Sequence, residues 1–200
     1  MITIGLIGGV ASGKSAVARL LADRGAAVID ADAAGHRVLR EPWVKEQLVA
    51  RWGPGILDAE GEINRKAVAK IVFAPGNEDE RLFLNSVMHP RIGAQLAIEL
   101  SRSRKSGVPA AVLDAALLLE ADWNHLCHEI IFVDAPLEQR LARARARGWD
   151  EAELARREST QLPLDQKKER ATICLPNDGS HAELAARVGA LADQWGLAQG

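Results

Sequence analysis

The stretch "ITIGLIGGVASGKSAVARLL", residues 2–21, decides the fold. Its first six residues are an apolar run of strand type, 2–7, and a helix is predicted over 14–23. Between them, "GGVASGKS" at 8–15 satisfies G-x-x-x-x-G-K-[ST]. Glycines at 8, 9 and 13 let the backbone of Val10, Ala11 and Ser12 curl with its N–H groups turned inward, and the helix beginning near Ala16 adds its positive end. Such a nest holds phosphate. Lys14 would set a cation on the β- and γ-phosphates, and the Ser15 hydroxyl would bind Mg2+. The plain alternative is a Gly-rich turn before a helix with an incidental Lys-Ser pair, and the strand-loop-helix context argues against it.

Outward from this loop, four more strand-like runs follow, at 26–30, 110–114, 129–134 and 171–175. They are mostly continuous apolar runs alternating with helical patterns, as in a parallel sheet covered on both faces. Helices are predicted over 32–40, 43–51, 65–72, 78–88, 91–105, 136–147, 151–161 and 181–195. Capping boxes pair Asp150 with Glu153 and Ser180 with Glu183, and Pro90 is expected to kink or divide its helical region. Roughly 80 residues separate the second and third strands, far beyond the dozen a crossover needs. A helical subdomain must stand there. A second insertion, 136–170, is locally basic.

Composition narrows the setting. The 200 residues, 48% hydrophobic and 26% charged, suit a globular chain, and a net charge of -2 speaks against a general nucleic-acid binder. No apolar run reaches the roughly 18 residues of a membrane span. No basic leader precedes the first strand, so a cytoplasmic location is expected. Cys127 and Cys174 lack metal-ligand spacing and read as buried thiols, and the five Trp as packing residues.

A phosphate loop is shared by ATPases, switches and small-molecule kinases, so other residues must choose among them. Asp30 and Asp32 close the second strand, at the sheet end where α/β proteins bind ligands. Asp32 is either the N-cap of the next helix or an acceptor for the proton of an attacking hydroxyl. Asp30 either supports the turn or binds metal weakly. Asp114 ends the third strand where an acid holds Mg2+, directly or through water. Arg143 and Arg147 share one helical face, with Arg140 near it, as a solvated stripe or as partners for phosphate. Asn177 sits in the turn "LPNDGS".

The segment "IGLIGGVASGKSAVARLLADRGAAVIDADAAGHRVL" resembles the N-terminus of dephospho-CoA kinases. The likeness continues through "MHPRI" (88–92), "VLDAALLLE" (112–120), "VDAP" (133–136), "RESTQLPLDQK" (157–167) and "NDGS" (177–180). The resemblance implies a three-layer α/β, P-loop nucleoside-kinase-like fold with a parallel five-stranded sheet in the order 2-3-1-4-5, a helical acceptor domain and a small helical lid. Core segments would be 1–31, 108–135 and 171–200, the acceptor region 32–107 and the lid 136–170. It implies transfer of the ATP γ-phosphoryl group to the ribose 3'-hydroxyl of dephospho-CoA, with Mg2+, as the last step of coenzyme A synthesis. Small-molecule substrates and a monomer are expected.

Residue by residue, the resemblance makes Asp32 the general base and puts Lys14, Arg143 and Arg147 on the phosphates. Asn177 would lie by the adenine, and His36, Arg65, His89 and Arg157 by the acceptor. His89 before Pro90 could instead cap a helix end. Three residues depart from the family pattern: Ala116 and Leu119 after the third strand, and Pro176 before Asn177. The rival readings are another small-molecule kinase and a nucleotide-driven switch.

Overall fold

A computed structural model describes residues 1–197, so the last three residues of the expected core segment 171–200 lie outside the described residues. Five strands, β1 (Ile2–Gly8), β2 (Ala27–Asp30), β3 (Ala110–Asp114), β4 (Glu129–Asp134) and β5 (Ile173–Pro176), form one sheet in the order β2-β3-β1-β4-β5. Every pairing is parallel. The order is the expected one. The central strands are buried along nearly their whole length, and the short edge strands β2 and β5 alternate between buried and more open positions.

That alternation corrects one expectation. Cys174 is exposed, because it sits on the open side of edge strand β5, whereas Cys127 is mostly covered and burial pushes its thiol up to about 12. Pro176 ends the same edge strand opposite Asp134, where no ladder N–H is required, and Asn177 N–H donates to the Asp134 carbonyl at 2.7 Å. The departure at Pro176 therefore costs the sheet nothing visible.

The helices are α1 (Lys14–Ala22), α2 (Ala31–Val38), α3 (Pro42–Trp52), α4 (Arg65–Val72), α5 (Glu78–Lys105), α6 (Leu137–Ala146), α7 (Glu151–Glu158), α8 (Leu164–Glu169) and α9 (His181–Gln194). On one face of the sheet, Val17, Ala18 and Leu21 of α1 and Leu184, Val188 and Ala192 of α9 bury Ile4, Leu6, Val112 and Ile131. The other face is so closely covered that a Cβ on Gly5 would lie 2.5 Å from Leu118 Cδ2 and 2.8 Å from Cys127 Sγ. Leu119 is buried as well.

Three helix expectations change. Residues 78–105 form one helix that runs through Pro90, because a single missing N–H is tolerated in a long helix whose Val87, Met88, Ile92 and Leu96 are buried. α2 begins at Ala31, so Asp32 lies in its first turn and Asp30 takes the position before the helix. Asp32 is therefore not the cap. The predicted helix 151–161 ends at Glu158, and the short polar α8 follows. Ser180 and Glu183 complete their capping box; Asp150 accepts from Glu153 N–H, but the Glu153 carboxylate instead engages Arg156 and Arg157.

The chain divides into two compact units, Met1–Asp30 with Glu99–Gly200, and Ala31–Ile98. In the second, Asn64 caps α4 by accepting from the N–H groups of Lys66 and Ala67. Ion pairs Arg51–Glu80 at 2.8 Å and Lys45–Glu62 at 2.6 Å lie on its surface. Trp43 is exposed rather than packed, with the Arg91 guanidinium 4.0 Å above its ring.

Candidate active site

The phosphate loop joins β1 to α1 through backbone that only particular residues adopt. Gly13 precedes α1 with φ 105°, and a Cβ there would stand 2.3 Å from Asn177 Nδ2. Gly8 has φ 140°, and its Cβ would meet the Val133 carbonyl at 2.6 Å. Both conformations favour glycine. Gly13→Ala should therefore cost roughly 1–3 kcal/mol of stability. Thermal denaturation reads the loss, and an unchanged midpoint would contradict this packing.

One loop carbonyl is tied down from two other segments of the core unit. The Ser12 carbonyl accepts from Arg143 Nη1 at 3.0 Å and from Asn177 Nδ2 at 2.7 Å. Arg143 Nη2 also reaches Gln139 Oε1 at 2.9 Å and the Asn177 carbonyl at 3.2 Å. Arg143 and Asn177 thus converge on the loop from segments 34 residues apart. Burial and the nearby Arg147 charge hold the Arg143 pKa below its ordinary value.

Lys14 Nζ donates to the Gly8 and Gly9 carbonyls at 3.1 and 3.0 Å. Burial, helped by the Lys167 charge, lowers its pKa to about 8, against the opposing pull of Asp114. The next residue, Ser15, donates its hydroxyl to Asp114 Oδ2 at 3.2 Å. Asp114 closes β3 and stands in register with Asp30 on β2 and Leu6 on β1. The strand ends and the loop therefore gather two hard oxygen ligands beside an ammonium.

One buried cation, Lys167, was not singled out in the sequence, and another, Arg140, was read there only as part of a stripe. Lys167 of α8 is 1% exposed, and its ammonium meets Glu120 Oε1 at 3.0 Å and Gln161 Oε1 at 2.8 Å. Glu120 Oε1 also accepts from Leu162 N–H at 2.8 Å, tying the loop after β3 to the chain after α7. The Ala116 carbonyl is 3.5 Å from Lys167 Nζ, so the alanine departure contributes backbone to this cluster. Arg140 belongs inside as well: it is 5% exposed and paired with Glu158, not part of a solvated stripe. Only its long-range partner reveals that, since the spacing in α6 does not.

The remaining candidates are placed as follows. Arg147 and Arg157 flank Trp149, with guanidinium carbons 5.6 and 4.1 Å from the ring centroid. Arg157 also donates to Glu153 at 2.7 Å. Gly8 to Ala16, Asp30, Asp114, Arg143, Arg147, Arg157 and Asn177 all belong to the core unit; Asp32, His36, Arg65 and His89 belong to the other. Asp32 and His36 lie on α2, Arg65 opens α4, and His89 is in mid-helix on α5 rather than at a helix end. Among the described residues no three His, Cys, Asp or Glu side chains form a metal cluster, and no helix is long and apolar enough to cross a membrane.

The family model described as dephospho-CoA kinase matches residues 2–183. A dephospho-CoA kinase of Geobacter sulfurreducens is 39% identical over 92% of this chain and 94% of its own length. One from Geobacillus kaustophilus is 37% identical over 97% and 96%. Among solved structures, a Thermus thermophilus protein superposes with TM-score 0.79 at 36% identity, covering 96% of this chain and 97% of that one. The fold is also that of a shikimate kinase from Acinetobacter baumannii, with TM-score 0.53 at 16% identity over 97% of this chain and 94% of that one. On a match that takes in the loop, the strand-end acid and the arginine-bearing helices together, the chain belongs to the dephospho-CoA kinase family, which catalyses the last step of coenzyme A biosynthesis.

Proposed function

We propose that this chain transfers the γ-phosphoryl group of ATP, bound with Mg2+, to the ribose 3'-hydroxyl of dephospho-CoA. The observation that carries the reading is the Ser15 hydroxyl 3.2 Å from the Asp114 carboxylate, at the end of a phosphate loop whose lysine is its neighbour. One hydroxyl and one carboxylate suit Mg2+, which takes few protein oxygens and completes its shell with water and phosphate. When bound, Mg2+ neutralises charge on the transferring phosphates.

The chain's own residues divide the remaining work. The loop from Gly8 to Ala16 cradles phosphate through its inward N–H groups, Val10 N–H being held by Glu158 instead, and Lys14 exchanges its two loop carbonyls for phosphate oxygens. Arg143 and Arg147 offset charge that spreads over the phosphoryl group, and Asn177 sets the wall beside the adenine. Asp32 orients the acceptor hydroxyl and takes its proton, while His36, Arg65, His89 and Arg157 hold the rest of the acceptor. Asp30 supports the strand end. Residues 136–170 act as the lid that keeps water from competing, and 32–107 as the acceptor region. The enzyme works in the cytoplasm as a monomer, without nucleic acid or membrane.

Purified protein with ATP, Mg2+ and dephospho-CoA should form ADP only as coenzyme A appears. Steady hydrolysis without acceptor would favour a switch, and phosphorylation of other small alcohols but not dephospho-CoA would favour another kinase.

A pH dependence follows from Lys14. Its free ammonium, with a pKa of about 8, is largely charged at pH 7 and loses its proton as the pH rises through 8. Bound phosphates stabilise the charged form and raise that pKa. ATP binding near pH 8 should therefore take up a proton, and affinity should fall above it. Calorimetry in buffers of different protonation enthalpy measures the uptake, and identical heats would contradict it.

A further inference from the structure

The phosphate loop is held near Val10 by a carboxylate from α7. Val10 N–H donates to Glu158 Oε1, the last residue of α7, at 3.1 Å. Arg140 Nη1 of α6 pairs with that same oxygen. Arg140 is almost wholly buried, and its Nε has no acceptor among the described residues, so Glu158 is the counter-charge that offsets its burial. Its guanidinium lies so close that a Cβ on Gly9 would stand 2.9 Å from Nη1. Around this pair, Ala11 is buried with Ala144 and Leu154, against Val10, Leu141 and Trp149. Loop, α6 and α7 form one small core.

We propose that Glu158 is a positioning residue for nucleotide binding: it fixes the Val10 end of the phosphate loop in its binding shape, and Arg140 fixes Glu158. The physical reason is entropic. Ordering a flexible Gly-rich turn costs roughly 1–2 kcal/mol per residue, and a loop ordered beforehand does not pay that on binding. Arg143 and Asn177 restrain the Ser12 end, and Glu158 restrains the opposite one. Once phosphates are bound they order the loop themselves. Loss of the clamp should therefore raise the dissociation constant and KM for ATP far more than it lowers kcat.

The inference deepens the proposed function and rests on its nucleotide-binding part. The test uses an Arg140→Met background, so that no variant leaves a buried guanidinium unpaired. There, Glu158→Gln keeps an acceptor for Val10 N–H and Glu158→Met removes it. Calorimetric titration with Mg-ATP should give the Met variant an affinity at least about tenfold weaker than that of the Gln variant in the same background. Transfer assays should show the difference in KM. Equal affinities for the two variants, or a loss confined to kcat, overturn the inference. Amide hydrogen exchange of the unaltered protein adds a reading independent of how the variants fold: Val10 N–H should exchange slowly without nucleotide, and exchange as fast as an open loop amide overturns the clamp. A wild type that binds ATP but does not phosphorylate dephospho-CoA would refute the acceptor assignment alone.

Discussion

Lys14→Met should lower kcat by about 100- to 1000-fold, the usual loss when one preorganised charge-stabilising group is taken from a transferring centre. Met keeps the length of the side chain and removes the ammonium. The reasoning begins with where that ammonium stands in the free protein. Lys14 bonds two loop carbonyls, is partly buried, and lies within the field of Lys167 and Arg147, which together make its charge costly. Phosphate reverses that balance, because an anion meets a cation that is already partly desolvated. Charge moves toward the leaving β–γ bridging oxygen in transfer, beside the phosphates that Lys14 spans, so the loss should be larger in kcat than in ATP affinity. Steady-state kinetics with both substrates varied makes the comparison. A variant that binds ATP poorly yet turns over normally at saturation would mean Lys14 contributes ground-state binding only.

Much of this site was legible because its decisive parts are local. The loop is eight consecutive residues between a strand and a helix, and each spacing has a steric or hydrogen-bonding cause. Asp114 was visible for a similar reason: a carboxylate ending an apolar run reaches the C-terminal end of the sheet, where the loop also emerges. What stayed hidden was long-range pairing. Arg140 and Glu158 are 18 residues apart on different helices, and nothing in the stripe of arginines along α6 distinguishes the one that turns inward. The Lys167–Glu120 pair joins α8 to the loop after β3, and "LDQKKE" has no apolar rhythm to announce a helix, still less a buried amine. Cys174 was misplaced because apolar content alone does not say which strand lies at an edge.

The electrostatics of the core unit account for the selection of those hidden residues. Lys14, Lys167, Arg140 and Arg143 bring several positive charges near one loop, an arrangement that self-repulsion opposes in the free protein. Glu158 and Glu120 each answer a cation while also accepting a backbone N–H, from Val10 and Leu162 respectively. A single carboxylate thus offsets charge and fixes chain. Breaking either buried pair from one side costs about 3–5 kcal/mol, so single charge removals there report on folding before they report on catalysis. Paired substitutions are the ones that can isolate function.

Asp32→Asn should reduce kcat by about 100- to 10,000-fold, the range general-base assistance supplies, and leave ATP affinity within about threefold of wild type. Asp32 lies in the first turn of α2, two residues past the end of β2, and the helix starts before it. Asp30 rather than Asp32 takes the position before the first turn. A negative side chain in a helix's first turn contributes only about 0.3–1 kcal/mol through the helix dipole, and the amide of Asn forfeits no more than that. A loss of kcat with ATP affinity and the thermal midpoint unchanged therefore reports on chemistry. An amide can still hold the acceptor hydroxyl by a hydrogen bond but cannot take its proton, so the loss should fall on turnover while acceptor KM changes little. If Asp32→Asn turns over normally and only its thermal midpoint moves, Asp32 is a helix-stabilising acid and the proton goes to another group.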